Sequence, residues 1–289
     1  MFSALIKNMR LKQWAKNGLL FAGLIFDRQL TNWPSVLITL EGFLLFGLLS
    51  SGVYLLNDLI DLEADRRHPR KRSRPIASGK LAIPVAVGAA ILFFASAFFF
   101  GYRLSPAFAL VALISLLLNL SYSLWLKHIP ILDVIVLASF YVLRVAAGVT
   151  LVDVQRFSPW LYVFTTFMAL FLGVAKRRAE LALVEGGRSQ TRRVLAGYTA
   201  PFLDQMLQTV LTLAILTYSL YTFSAPNLPE NHAMMLTIPF VIYGAFRYLY
   251  LVQVMNSGEA PEEILFSDRP IQATVLLWGL TVLYIFYTY

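Results

Sequence analysis

Three carboxylates recur at helical spacing in the first quarter of the chain. Asp58, Asp61 and Asp65 lie three and four residues apart, directly after Asn57. An α-helix turns by about 100° per residue, so these side chains would share one helix face. Carboxylate and amide oxygens are the ligands that Mg²⁺ prefers in proteins. The spacing therefore predicts a magnesium site formed by Asn57, Asp58, Asp61 and Asp65.

A basic segment follows this acidic face at once. Its lysines and arginines are Arg66, Arg67, Arg70, Lys71, Arg72 and Arg74. Such cations bind the phosphate oxygens that a bound metal leaves free. Together the two segments are suited to a magnesium-bound polyphosphate. The plainer alternative is a solvated helix end beside a basic cytoplasmic loop, and the one-face spacing together with Asn57 argues against it.

A second charged cluster follows an apolar run later in the chain. It contains Lys176, Arg177, Arg178 and Glu180. If the helix continues through it, Lys176, Arg177 and Glu180 share one side. The cluster then offers two phosphate clamps and one partner for a metal or a hydroxyl group.

Polar residues also stand beside or within apolar sequence at two further places. Lys16 and Asn17 end a basic N-terminal segment around Trp14, and Arg144 lies inside an apolar run. An arginine there needs an anionic partner or a wet cavity. Lys16, Asn17 and Arg144 are our candidates for binding a lipid phosphate. A membrane-surface anchor around Trp14 and a structural pairing of Arg144 are the alternatives.

Three weaker signals concern single residues. Tyr122 and Lys127 lie at the end of the fourth apolar run, and Tyr141 lies within the fifth. We name them as further pocket candidates. An aromatic residue at the membrane interface and a snorkelling lysine would give the same pattern.

The composition is that of an integral membrane protein. Of the 289 residues, 58 % are hydrophobic and 14 % are charged, against about 45–50 % and about 25 % in soluble domains. The absence of cysteine excludes disulfides, Fe–S clusters and thiolate catalysis. The three histidines have no zinc-ligand spacing. The net charge of +8 has a simpler cause in the positive-inside rule than in nucleic-acid binding, so no nucleic-acid partner is expected.

About 20 apolar residues cross a bilayer as a helix. The sequence predicts one all-α membrane domain over residues 1–289, with nine spans at 17–31, 35–56, 81–101, 106–126, 131–151, 158–176, 201–223, 236–254 and 271–289. Most of the 24 lysines and arginines then fall in alternate loops. This asymmetry predicts a multi-pass protein of the cell membrane, with the N-terminus and the acidic motif on the cytoplasmic side.

With these features the chain resembles the UbiA superfamily of membrane prenyltransferases. The resemblance rests on the nine spans, the acidic motif after the second span and the charged loop after the sixth. Within the superfamily it is nearest to the group that transfers phosphoribosyl to decaprenyl phosphate, through the motifs R-L-K-Q-W-A-K-N, N-D-L-I-D-L-E-A-D-R-R-H-P-R-K-R-S-R-P-I-A-S-G, F-Y-V-L-R-V-A-A-G and V-A-K-R-R-A-E-L.

The chain departs from the superfamily at two places. Members commonly read Arg-Pro where this chain has Arg10-Leu11, which affects helix entry more than chemistry. Prenyl-diphosphate transferases usually carry a second D-x-x-x-D motif where this chain has K-R-R-A-E at residues 176–180. Phosphoribosyl pyrophosphate carries a diphosphate and a distant 5-phosphate, so one acidic motif and two basic clusters suit it better.

The resemblance implies magnesium-dependent transfer of 5-phosphoribosyl from phosphoribosyl pyrophosphate to a polyprenyl phosphate. Asp58 and Asp61 would be catalytic, because the magnesium they hold stabilises the leaving pyrophosphate. The donor phosphates would be bound by Arg66, Lys71, Arg72 and Arg74, with Lys176, Arg177 and Arg178 opposite. The lipid phosphate is already an anion at neutral pH, so no general base is required.

Two alternatives stay open at this point. A prenyltransferase of the same superfamily would move a prenyl group from its diphosphate to an aromatic or isoprenoid acceptor, although the missing second acidic motif counts against it. A carrier or flippase for anionic lipid would use the same cations only for binding.

Overall fold

The computed structural model describes residues 2–67, 71–152, 158–186, 193–225, 228–255, 264 and 267–288. These residues form α-helices, short 3-10 helices and connecting turns, with no β-strand among them, which confirms the all-α prediction. The α-helices are, in chain order, α1 (Phe2–Met9), α2 (Phe21–Phe26), α3 (Trp33–Ile60), α4 (Leu62–Arg67), α5 (Ile83–Leu104), α6 (Pro106–Leu124), α7 (Leu132–Val149), α8 (Pro159–Glu185), α9 (Ala200–Ser224), α10 (Ile238–Gln253) and α11 (Arg269–Thr288).

Eight helices in the described part of the chain are long and apolar enough to cross a membrane. They are α3 and α5 to α11, with α10 preceded by a 3-10 helix, Ala233–Thr237. The backbone N–H and C=O groups of a helix bond to one another, and this is required in a bilayer because lipid tails offer no hydrogen-bond partners. Eight of the nine predicted spans correspond to these helices, and the chain is a multi-pass membrane protein.

The first predicted span, residues 17–31, is not a continuous helix. Leu11–Leu20 form a 3-10 helix, and α2 has only six residues. Arg28 then takes a left-handed backbone conformation with φ 58°. Polar residues bound the apolar run on both sides, so it is shorter than the roughly 20 residues that a spanning helix needs. Within the described residues the predicted count of nine spans is therefore corrected to eight.

The chain divides into two compact units. The first comprises Met1–Ser123 and Leu143–Asp153, and the second comprises Leu124–Val142 and Val154–Tyr289. Helix α7 starts in the second unit and ends in the first. The prediction of one domain over residues 1–289 stays a prediction.

In the first unit, α3 packs against α5 and against the N-terminal helices. A Cβ atom at Gly52 would lie 2.6 Å from the ring of Phe94, and one at Gly47 would lie 2.7 Å from the ring of Trp14. Small residues let helices approach closely in membranes, where packing rather than water exclusion holds them together. Gly47 and Gly52 therefore let the rings of Trp14 and Phe94 pack closely against α3.

In the second unit, α8 packs along α9, and α10 packs against α11. Val174, Leu203, Leu207 and Val252 are fully buried in the shared core. Helix α8 continues through the second charged cluster to Glu185, which is the condition under which Lys176, Arg177 and Glu180 share one side.

Candidate active site

The acidic motif covers the end of α3 and the start of α4. Helix α3 ends at Ile60, Asp61 occupies its C-cap, and α4 begins at Leu62. The helical course is almost continuous, because the Asp65 N–H donates to the Asp61 carbonyl over 2.8 Å. Asp58 and Asp65 are buried, whereas Asp61 is half-buried.

Arg74 joins the two buried carboxylates. Its Nη1 donates to Asp58 Oδ1 at 3.0 Å and to Asp65 Oδ2 at 2.6 Å. Lys71 Nζ lies 3.8 Å from the other Asp65 oxygen. The structure thus brings together two of the predicted metal ligands and two of the predicted phosphate ligands.

The loop after α4 places Arg74 through two buried anchors. Ile76 and Leu81 are each 1 % exposed and pack with Leu55 of α3. The turn between them is closed by Gly79, whose φ of 75° favours glycine. The Ser78 N–H also donates to the Arg74 carbonyl at 2.9 Å. This arrangement explains why the motif continues as R-P-I-A-S-G after the cations.

Arg10 belongs to the same cluster, and the sequence-based reasoning missed it. Its Nη2 donates to Asp58 Oδ1 at 2.7 Å, and its guanidinium carbon lies 4.7 Å from the centre of the Tyr54 ring. The Arg10 backbone is left-handed, with φ 53° and ψ 52°. A separation of 48 residues leaves no local pattern that could reveal this pairing. The only signal was a cation at the start of the first motif.

The N-terminal segment reaches Asp58 because it packs against α3. Trp14 Nε1 donates to Ser51 Oγ at 3.1 Å, and Ser51 Oγ donates to the Met9 carbonyl at 3.0 Å. Gly47 leaves room for the Trp14 ring. Trp14 is therefore a half-buried packing residue of the first unit, and a membrane-surface anchor around it stays an alternative.

Asn17 and Arg144 lie together, as the lipid-phosphate hypothesis requires. Arg144 Nε donates to Asn17 Oδ1 at 2.9 Å across 127 residues. One turn further along α7, a Cβ atom at Gly148 would lie 1.9 Å from the Leu20 carbonyl oxygen. Only glycine allows this approach, so Gly148 sets the distance between α7 and the 3-10 helix. Lys16 is half-buried on the same 3-10 helix.

The remaining predicted cations of the first unit are more exposed. Arg66 pairs with Glu63 at 3.2 Å, and both side chains are solvent-exposed. Such a pair contributes about 0–1 kcal/mol. Arg72 is exposed, and Arg70 lies outside the described residues.

Oxygen atoms that fit a magnesium ion are present beside these cations. Asp58 Oδ2 is buried and has no hydrogen-bond partner in the described part of the chain. The Asp61 carboxylate makes no hydrogen bond or ion pair with the described residues. A buried acceptor left unpaired costs about 1–3 kcal/mol. A hard divalent cation would satisfy Asp58 Oδ2, and the donor set of carboxylate oxygens suits Mg²⁺.

Cations rather than a cluster of carboxylates surround this position. No group of three or more acidic or histidine side chains among the described residues is arranged to hold a metal ion. Asn57 Oδ1 accepts a hydrogen bond from Ser123 Oγ at 3.0 Å. Ser123 directly follows Tyr122 in the sequence. Arginine and lysine side chains pair with Asp58 and Asp65, and the metal-binding role of these two carboxylates stays a prediction.

In the second unit, Arg177 is the centre of a buried ion-pair network. Its Nε donates to Asp133 Oδ2 and its Nη1 to Glu180 Oε2, each at 2.5 Å. The Arg177 and Asp133 side chains are both 0 % exposed. Arg177 thus has two carboxylate partners, and its predicted contact with a donor phosphate stays a prediction. Sequence reasoning paired Arg177 with its neighbours on α8 and missed Asp133 on α7.

Tyr198 completes this network from the segment ahead of α9. Its hydroxyl donates to Asp133 Oδ1 at 2.6 Å and accepts from the Ile131 N–H at 2.5 Å. Burial and the hydrogen bond to the Asp133 carboxylate raise the pKa of Tyr198 above its ordinary value. Ile131 has a φ of 70°, which is strained for a β-branched residue. The Tyr198 hydroxyl holds this strained turn.

Another predicted cation of the second unit, Arg178, pairs with a carboxylate of α9. Arg178 Nε donates to Asp204 Oδ1 of α9 at 2.9 Å, and Gln253 Nε2 donates to the same oxygen at 2.9 Å. Lys176, Lys127 and Tyr141 are half-buried.

Comparison with known proteins identifies the family. The profile of the UbiA prenyltransferase family matches residues 19–267. The chain belongs to the UbiA prenyltransferase family. Among its relatives, a Mycobacterium tuberculosis protein named decaprenyl-phosphate phosphoribosyltransferase is 33 % identical, over 97 % of this chain and 93 % of the relative. A Corynebacterium glutamicum protein of the same name is 31 % identical, over 95 % of this chain and 84 % of the relative.

The UbiA fold is also found by comparison with solved structures. A UbiA homologue from Archaeoglobus fulgidus bound to DMAPP and Mg²⁺ superposes with a TM-score of 0.73 and 18 % identity, over 99 % of both chains. The Archaeoglobus homologue bound to GPP and Mg²⁺ gives the same TM-score of 0.73. At this identity the similarity establishes the UbiA fold of the chain.

Proposed function

We propose that this UbiA-family protein transfers 5-phosphoribosyl from phosphoribosyl pyrophosphate to a polyprenyl phosphate. A phosphate oxygen of the lipid forms a bond to the anomeric carbon of the ribose, and the bond from that carbon to the diphosphate breaks. Pyrophosphate leaves with the bonding electrons, and we expect inversion at the anomeric carbon. The lipid phosphate needs no general base, because it is ionised at neutral pH.

The observation that carries the proposal is which carboxylates still have oxygen atoms that could bind a metal. The motif at Asp58 and Asp61 keeps oxygen atoms without a partner in the described part of the chain. In the second charged segment, Glu180 and the nearby Asp133 both pair with Arg177. One magnesium site beside basic residues suits a donor that carries a diphosphate and a separate 5-phosphate, and the names of the relatives support the same donor.

Asn57, Asp58, Asp61 and Asp65 are the residues that would hold Mg²⁺. A bound divalent cation would neutralise the charge that develops on the leaving pyrophosphate. Arg74 and Lys71 would bind diphosphate oxygens, because they already lie beside Asp58 and Asp65. Other residues remain proposed ligands of the donor phosphates from the sequence alone: Arg66, Arg72, Lys176, Arg177 and Arg178. Positioning of the two anions by these cations would supply most of the catalysis.

Asn17 and Arg144, with Lys16 nearby, are proposed to bind the phosphate of the lipid. Arg144 already has an amide oxygen as a hydrogen-bond partner, and its guanidinium carbon lies 5.8 Å from the centre of the Phe46 ring. Arginine can bind a phosphate with two parallel hydrogen bonds. We further propose that the N-terminus and this site face the cytoplasm of a cell-membrane protein.

Two labelled donors test the proposal. Purified protein with Mg²⁺ and a polyprenyl phosphate should transfer label from phosphoribosyl pyrophosphate to lipid and release pyrophosphate. Transfer from a prenyl diphosphate, with none from phosphoribosyl pyrophosphate, would favour the prenyltransferase alternative. Absence of pyrophosphate release with every polyprenyl phosphate would favour a carrier.

A further inference from the structure

Arg10 contacts Asp58 of the acidic motif, and the proposed chemistry does not yet use it. Its guanidinium reaches Asp58 Oδ1 at 2.7 Å from a segment 48 residues earlier in the chain. Its side chain is 32 % exposed, whereas that of Asp58 is 4 % exposed. The left-handed backbone at Arg10 and the Tyr54 ring under the guanidinium hold this orientation.

The cations of this ion-paired cluster already outnumber its carboxylates when no metal is bound. Its carboxylates are Asp58 and Asp65, and its cations are Arg10, Lys71 and Arg74. A divalent cation alone would leave this half-buried region with an excess of positive charge. When a metal enters together with a diphosphate, the negative charge of the diphosphate offsets the charge of the metal. Charge balance therefore favours joint entry of metal and diphosphate over entry of the metal alone.

We propose that Arg10 is an internal counter-ion of Asp58 that couples metal binding to donor binding. Without ligand, Arg10 neutralises the Asp58 carboxylate through Oδ1 and so weakens its attraction for a metal at the unpartnered Oδ2. When metal and diphosphate enter together, Asp58 turns to the metal and Arg10 turns to the diphosphate oxygens. Arg10 is thus a positioning and binding residue of the donor site. This inference rests on the proposed function.

Arg10 is better suited to this exchange than Arg74. Arg74 Nη1 bridges Asp58 and Asp65 at 3.0 and 2.6 Å, so its movement would leave two buried carboxylates without it. Among the described carboxylates Arg10 pairs with Asp58. After removal of Arg10, Asp58 keeps its contact with Arg74. The variant Arg10→Ala is therefore expected to fold.

Metal-binding titrations on the purified full-length chain test the exchange. The Mg²⁺ affinity is measured with the metal alone and again with inorganic pyrophosphate present. In the wild type we expect pyrophosphate to increase Mg²⁺ affinity about 10-fold or more, within the usual range of coupling between sites. In Arg10→Ala, Mg²⁺ alone should bind about 3- to 10-fold more tightly, and the enhancement by pyrophosphate should fall by a similar factor.

Two further variants make the result specific. Arg10→Lys keeps the charge and should retain most of the coupling. Lys7→Ala removes an exposed cation three residues earlier and should behave as the wild type. The inference is overturned if Arg10→Ala binds Mg²⁺ alone no more tightly than the wild type, or if its coupling to pyrophosphate is unchanged.

The titrations separate this inference from the proposed function. They use Mg²⁺ and pyrophosphate without lipid, and no group is transferred. A protein that shows the coupling but transfers no label from phosphoribosyl pyrophosphate would contradict the proposed function and leave the role of Arg10 intact. A protein that transfers label without the coupling would contradict the role of Arg10 alone.

Discussion

Replacement of Gly148 by alanine should disturb the contact between Asn17 and Arg144, the proposed ligands of the lipid phosphate, without changing either residue. A Cβ atom at Gly148 would lie 1.9 Å from the Leu20 carbonyl oxygen, and real Cβ atoms essentially never approach closer than 3.0 Å. The backbone of α7 or of the 3-10 helix must therefore move by about 1 Å. Overpacking of this kind costs about 1–3 kcal/mol.

The same movement acts on Arg144, which lies one turn before Gly148. Its Nε donates to Asn17 Oδ1 over 2.9 Å, and an extra separation of about 1 Å removes the hydrogen bond. A displacement of this size near reacting groups can lower the rate about 100-fold. We expect Gly148→Ala to lower the unfolding temperature and to raise the KM for polyprenyl phosphate more than the KM for phosphoribosyl pyrophosphate.

Gly88→Ala is the matched control for this prediction. It is also a helical glycine, and a Cβ atom there would have nothing within 4 Å. Alanine in a helix interior is favoured over glycine by about 1 kcal/mol, so this variant should be as stable as the wild type or slightly more stable. The reasoning is refuted if Gly148→Ala and Gly88→Ala show the same unfolding temperature and the same KM for the lipid.

Three further predictions concern the second unit, and thermal unfolding in detergent checks each. The hydrogen bond from Arg247 lowers the pKa of Asp268. The ionised carboxylate therefore stabilises the fold above the ordinary carboxyl pKa, and this stabilisation is lost as the pH falls through the lowered pKa. Asp268→Asn should reduce the loss of stability below about pH 4. Tyr198→Phe should cost about 1–3 kcal/mol, because Asp133 loses one of its donors. Arg177→Met should cost about 3–5 kcal/mol, because two carboxylates lose their buried partner; wild-type stability in either variant would contradict the network.

The sequence predicted the membrane helices well, because apolar runs of about 20 residues have one stable solution in lipid. It also placed Asp58, Asp65 and Arg74 in one cluster, since short separations within one motif limit how far they can lie apart. The first span was wrong because the run from residue 17 has too few apolar residues between its polar ends. Hydropathy alone gave no reason to expect a 3-10 helix there.

The long-range pairings could not be read from the chain. Arg10 meets Asp58 only because Trp14 packs into the space at Gly47 of α3. The cationic neighbours of Arg177 predicted a phosphate ligand, and they gave no sign of its contact with Asp133, which lies 44 residues away on another helix. Local charge patterns show that a cation needs a partner, and tertiary packing decides which one it finds.

The measurement that tests the proposed reaction most directly is transfer of ribose-labelled phosphoribosyl from phosphoribosyl pyrophosphate to a polyprenyl phosphate in the presence of Mg²⁺. The purified wild type should give labelled lipid and an equal amount of pyrophosphate. Asp58→Asn should lower this rate about 100-fold or more, because charge on the leaving pyrophosphate loses its stabilisation, whereas Lys7→Ala should keep it. Wild-type protein that labels no polyprenyl phosphate and releases no pyrophosphate would contradict the proposed function.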